Sequence, residues 1–187
     1  MLKNYTDQKS IEDYLLTDVD LSFADQIEDW IESQESYIDQ ETGRNFKADA
    51  SASERLYDGD NDITLFIDDA VEVTGVKVDG KSVDFYKYPA NSLPITKIVL
   101  KDGRFTKGRQ NVAVTAKWGY SEDVPADIKF AATVLVAGII NDQSVRQEGN
   151  VKSVSIGSYS VSYGDVKQWN DFENVKPSLA KYQRMTV

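Results

Sequence analysis

Between residues 54 and 118 apolar side chains recur at every second position, and on either side of that block they recur at every third or fourth. A chain that switches period twice must place a sheet between two helical stretches. Alternate strand residues share a face, whereas helical residues three or four apart do. The runs "ITLFI" (63–67), "VEVTGVKV" (71–78), "SVDFYKY" (82–88), "ITKIVL" (95–100) and "NVAVTAKW" (111–118) read as strands. Asp79-Gly80 supplies a two-residue hairpin turn between Val78 and Lys81. Val112, Val114, Ala116 and Trp118 alternate with polar or small residues, so that strand buries one face. The expectation is an α+β chain. Residues 54–118 form an antiparallel β domain, sandwich- or barrel-like, inserted into a small helical bundle made of residues 1–53 and 119–187.

The flanking segments show the helical period. Residues 6–16 predict a short helix with Thr6 as N-cap and Ile11, Tyr14 and Leu15 on one face. Residues 21–42 predict the clearest helix, with Ser22 capping its start and Gly43 at its C-cap. Its apolar face is Phe23, Ile27, Trp30, Ile31, Tyr37 and Ile38. Its other face carries Asp25, Glu28, Asp29, Glu32, Glu35 and Asp39, either as a solvated surface or as one that repels a polyanion. Residues 124–143 return to helix, with Pro125 at the first helical position and apolar residues nearly all round from Ile128 to Ile140. Such a helix is central to a core, or packed between its own chain and a neighbour. Pro177 predicts the start of a last short helix, with Leu179 and Tyr182 on one side.

Composition narrows the chemistry. The 187 residues hold no cysteine and no histidine, which removes disulfides, thiolate chemistry and the commonest general base. Of the net charge of −10, residues 1–46 contribute −9, with twelve acids against three bases. No basic block is available to grip nucleic acid. No apolar run reaches membrane-spanning length, and no secretory signal pattern opens the chain. Asp58, Asp60, Asp62 and Asp69 have the spacing of a calcium loop, but Ile63 stands where the sharp bend needs glycine, and the flanks read as strands. The segment "DGRFTKGRQN" (102–111) lacks the spacing of a phosphate loop. No catalytic residue, cofactor site or metal site is assigned, and the chain is read as non-enzymatic.

One stretch departs from the charged character of the rest. "GNVKSVSIGSYSVSYGD" (149–165) holds a single lysine and no acid between Asn150 and Asp165. A turn at Gly157-Ser158 sets Ile156 opposite Tyr159 and Val154 opposite Val161, with Tyr163 continuing that face, and pairs serine with serine on the other. An isolated hairpin is marginal in water, and strand edges are usually guarded by charge or proline. This projecting hairpin therefore packs on its own domain or is covered by a partner.

Taken together, "WGYSEDVPADIKFAATVLVAGIIN", the serine-rich hairpin, "YIDQETGRNF" and "RLYDGD" resemble the head–tail connector (adaptor) proteins of long-tailed bacteriophages and prophages. The resemblance covers most of the chain. It implies a structural virion protein at the neck, between capsid portal and tail, assembled in the bacterial host cytoplasm. It implies a homo-oligomeric ring, twelvefold to match a portal, that docks on the portal protein, extends the DNA channel and meets a downstream neck or tail protein. DNA would pass without specific binding, and no membrane is involved. On this reading Val154, Ile156, Tyr159, Val161 and Tyr163 form the subunit-interface hairpin. Trp169, Phe172, Leu179, Tyr182 and Arg184 form an arm that contacts the portal or another partner. Asp25, Glu28, Asp29, Glu32 and Glu35 face the channel, and the apolar helix 125–141 offers a further subunit face.

Two rival readings stand beside it. A tail-completion or stopper protein shares the ring logic further down the neck. A carbohydrate- or cell-surface-binding module built on the β insertion needs a flat aromatic platform, and none is evident: Phe85, Tyr86 and Tyr88 are present, but Phe85 and Tyr86, being adjacent, alternate faces.

Overall fold

The computed structural model describes residues 2–147, 153–156, 159–162 and 171–184, and it leaves the side chains of 145–174 undescribed. In chain order the elements are α1 (Gln8–Leu15), α2 (Ile27–Thr42), β1 (Ser53–Gly59), β2 (Thr64–Val78), β3 (Lys81–Ser82), β4 (Phe85–Tyr88), β5 (Ile95–Leu100), β6 (Gly108–Trp118), α3 (Ala126–Gln147), β7 (Ser153–Ile156), β8 (Tyr159–Ser162) and α4 (Asp171–Ala180). They divide into two compact units, Met1–Thr42 with Ala126–Val187, and Gly43–Pro125. These boundaries lie outside the 53/54 and 118/119 junctions read from periodicity. The segments flanking the strands belong with the sheet because they bond to each other: Tyr120 donates its N–H to the Asn45 carbonyl at 2.8 Å, and Asp49 to the Trp118 carbonyl at 2.7 Å.

In the helical unit, α1 is capped by Asp7, whose carboxylate accepts the Ser10 N–H at 2.7 Å. Thr6, the expected cap, instead shares a hydrogen bond with the Thr133 hydroxyl of α3 at 2.7 Å. The predicted helix 21–42 is a 3-10 turn, Leu21–Phe23, followed by α2. Asp20 rather than Ser22 opens that turn, accepting the Ser22 N–H at 2.7 Å. Gly43 follows α2 with φ 66°, the left-handed conformation a C-terminal glycine supplies. Pro177 lies inside α4 rather than at its start.

The central element is α3. Every residue from Ala131 to Ala137 is buried. Helices α1, α2 and α4 pack around it. Val136, Ala137 and Ile140 meet Ile11, Val19, Phe23, Ile27 and Ile31 in one core. A helix this apolar needs cover on most of its sides, and over Ala131–Ala137 the covering helices come from its own chain. The stretch Ala131–Ala137 of α3 is therefore core, while Phe130, one residue before it, is 59% exposed.

The second unit is one antiparallel sheet in the order β1-β6-β2-β5-β4, with β3 paired to the end of β2. The sheet is not closed: β1 and β4 remain edges, so the expected barrel-like closure does not occur. The two strands predicted at 63–67 and 71–78 are one 15-residue strand, β2. Its first half pairs with β5 and its second with β6, and register shifts near Ala70 mark the changeover. These bulges let a single sheet curl over its own core, which includes Ile67, Val76, Ile98, Phe105, Val114 and Trp118. The predicted Asp79-Gly80 turn is present: Val78 pairs with Lys81, and the two turn residues have φ 49° and 76°. At Gly119, with φ 133°, a Cβ would lie 2.5 Å from the Ala48 Cα, so the return of the chain past β6 requires glycine.

Candidate functional site

The hairpin has the pairing its pattern predicts. Ser153 faces Ser162, Val154 faces Val161, Ser155 faces Ser160 and Ile156 faces Tyr159. Gly157, Ser158, Tyr163 and Trp169 lie outside the described residues, as do the side chains of Val154, Ile156, Tyr159, Val161 and Phe172.

The acidic face of α2 divides in two. Asp25, just before the helix, and Glu28, Asp29 and Glu32 on it are exposed. Glu35 is not: it is 1% exposed. Its carboxylate accepts the backbone N–H of Lys3 at 2.7 Å and of Tyr5 at 2.8 Å. One turn on, Asp39 accepts the Tyr5 hydroxyl at 2.7 Å and pairs with the Lys3 ammonium. The N-terminal segment is strapped to α2 by these two carboxylates, while fully buried Tyr5 fills the space beneath it. Glu35 therefore belongs to the packing of this unit and not to a channel-facing surface. The sequence signal was weak: a carboxylate at i and another at i+4 reads as solvated until a strand of unpaired N–H groups is laid against it.

Of the residues assigned to a C-terminal arm, Leu179, Tyr182 and Arg184 are described and fold back on the same unit. Leu179 is buried. The Tyr182 hydroxyl donates to the Asp127 carboxylate at 2.9 Å, Lys181 pairs with the same carboxylate, and the Arg184 N–H donates to the Thr42 carbonyl at 2.9 Å. Burial acts to raise the Asp127 carboxyl, but the hydrogen bonds from Lys181 and Tyr182 hold it below the ordinary aspartate value. Leu179 and Tyr182 thus close the helical unit instead of reaching outward, and Arg184 is tied by its backbone.

The calcium-like aspartates serve turns and an ion pair. Asp58 accepts the Gln110 N–H at 2.6 Å, Asp60 the Asp62 N–H at 2.9 Å, and Asp62 the Ile63 N–H at 2.6 Å. Asp69 points inward from the β2 bulge, 6% exposed, and both its oxygens lie 2.7 Å from Nη1 of Arg44. Arg44 also lies over the Tyr120 ring, 5.5 Å from its centre. An acid in a sheet core is tolerated because this guanidinium neutralises it. Burial pushes the Tyr57 phenol up to about 12, although the Asp68 N–H bonded to its oxygen works the other way. Among the described residues no three acidic side chains converge as a metal would require. No described helix is long and apolar enough to cross a membrane.

Two surfaces escaped the sequence reading. On the outer face of β2, β5 and β4, Lys97 stands between Phe66 and Tyr88, and Val99 between Thr64 and Tyr86. Phe66 is 58% and Tyr86 54% exposed. The absence of an aromatic platform is therefore corrected. Tyr86 and Tyr88 share a face by their spacing, and β5 brings Phe66 alongside. Each tyrosine ring already carries an ammonium, Lys97 at 5.2 Å from the Tyr88 centre and Lys101 at 5.4 Å from that of Tyr86, which obstructs stacking by a sugar ring. In the helical unit, Leu16 and Leu21 are 90% and 89% exposed, the most exposed large apolar side chains described. The one available signal was that Leu16 falls off the Ile11–Tyr14–Leu15 face of α1.

No curated relative matches the chain. A solved chain described as "Neck of empty GTA particle computed with C6 symmetry" superposes with a TM-score of 0.59 at 11% identity, over 99% of this chain and 92% of that one. At that identity the likeness establishes a shared fold. The family model described as head completion protein matches residues 7–172. That span takes in α1 and α2, the whole six-stranded sheet, the central helix α3 and the serine-rich hairpin, and by it this chain belongs to the head completion protein family.

Proposed function

We propose that this protein is a structural component of a tailed-phage neck, where copies form a ring that docks on the portal, continues the DNA channel and receives the next neck or tail protein. The observation that carries this reading is the family match from residue 7 to residue 172. The near-complete superposition on a chain from a particle neck supports it. Sixfold symmetry was imposed on that neck, so six copies or a multiple of six, twelve included, agree with such a ring. In the ring the hairpin β7–β8 is covered by a neighbouring copy, because its uncharged sequence leaves two strand edges unguarded. Exposed Asp25, Glu28, Asp29 and Glu32 border the channel, where like charge keeps DNA from adhering. The protein performs no bond chemistry in this role.

Electron microscopy of purified necks, with this chain traced, tests the reading. It is expected to place the chain in a ring directly against the portal. A neck whose portal-proximal ring is another protein overturns portal docking. Capture by the downstream tail component but not by isolated portal assigns the stopper position instead.

A further inference from the structure

We propose that the Leu16–Leu21 loop of one copy docks on the outer sheet face of the next copy, against Phe66, Tyr86 and Tyr88 with Lys97 and Lys101. This rests on the ring reading and names a contact that reading leaves open. The loop has the character of a built protrusion. Leu16 ends α1 in the left-handed conformation, φ 57°, which a leucine rarely adopts. Val19, between the two leucines, is buried and pins the loop's centre, and its N–H reaches Glu12 at 3.4 Å. Asp20 caps the turn that carries Leu21. The backbone is thus held on both sides while the two leucines face solvent, with Asp18 and Asp20 between them.

The receiving face has complementary chemistry. The six cross-strand positions Thr64, Phe66, Lys97, Val99, Tyr86 and Tyr88 include no acid. Lys97 and Lys101 lie over the tyrosine rings and leave the cations beside an apolar surface. An acidic loop with two leucines matches a lysine-bearing aromatic face in both charge and polarity. The two surfaces are different patches of one chain, so their contact is heterologous, the kind that repeats around an axis and closes a ring.

The chain has no cysteine, which makes the test direct. Leu21→Cys protein is mixed with Tyr88→Cys protein and assembled under mild oxidation, with circular dichroism confirming that both fold. A disulfide-linked dimer is expected from the mixture and from neither variant alone. In parallel, Lys97→Glu with Lys101→Glu is expected to raise the midpoint concentration for self-association by at least on the order of tenfold. Adding Asp18→Lys to the same chain is expected to recover part of that loss. Rings that form normally from the lysine variant, with no disulfide from the mixture, overturn this contact and leave the ring reading standing. A wild-type chain that forms no ring even on portal-bearing capsids overturns both. Glycan binding that is lost in Tyr86→Ala with Tyr88→Ala while assembly is unchanged assigns the face to sugar and also overturns the contact.

Discussion

Replacing Glu35 by alanine separates the two roles that acids play on α2. If the carboxylate is a strut, its loss removes two charge-assisted hydrogen bonds to backbone N–H groups, at 2.7 and 2.8 Å. Each such bond contributes roughly 1.5–3 kcal/mol. The Tyr5 N–H is buried and keeps its full desolvation cost, while Lys3 is partly exposed and can turn to water. The expected loss is therefore about 3–4 kcal/mol rather than the upper sum, a large share of the total stability of a domain this size. Glu35→Gln keeps an acceptor for one N–H but sets an amide donor against the other, and is expected to cost about 2 kcal/mol. Glu28→Ala, on the exposed face, is expected to stay within about 0.5 kcal/mol. Urea unfolding followed by far-UV circular dichroism measures all three, with the midpoint moving and the slope unchanged. Equal midpoints for Glu35→Ala and Glu28→Ala refute the strut, and return Glu35 to the solvated face.

The sheet unit makes two further predictions. Gly119→Ala must hold a φ of 133° and place a methyl 2.5 Å from the Ala48 Cα, so it is expected to destabilise the unit by roughly 2–4 kcal/mol in denaturant titration. Asp69→Ala removes the carboxylate paired with the mostly buried Arg44 guanidinium and is expected to cost about 3–5 kcal/mol. Arg44→Met combined with Asp69→Leu is expected to cost less than that single change, and a simple sum of the two single effects in a double-mutant cycle removes the pairing argument. The last prediction concerns pH. Because the folded-state value of Asp127 is lowered, its contribution is complete above the ordinary aspartate value of 3.8 and is lost as pH falls through the lower folded value. Tyr182→Phe is expected to shrink that acid-side loss, and a stability–pH curve below 3.8 identical to wild type contradicts it.

Nearly all the net negative charge lies in the helical unit, which holds eighteen acids and nine bases, while the sheet unit holds thirteen and twelve. Some of that charge is structural, as Glu35, Asp39 and Asp127 show, and on the proposed ring only the remainder would act on passing DNA. Charge counted from composition therefore overstates the surface available for that role.

What the sequence by itself determined is whatever depends on neighbours along the chain. The period of two between residues 54 and 118, the Asp79-Gly80 turn and the serine-to-serine pairing of β7 with β8 follow from alternation and turn geometry, which act over a few residues. The apolar girdle of α3 likewise announces a central helix. Tertiary structure decided where each ambiguous polar or aromatic side chain points. Glu35 turns inward because residues 2–6 bring unpaired N–H groups to it from thirty positions away. Asp69 enters the core because Arg44 arrives to neutralise it. Phe66 joins Tyr86 and Tyr88 because β5 lies between their strands. In each case the free energy of the side chain is set by a partner distant in sequence, and local pattern carries no record of that partner.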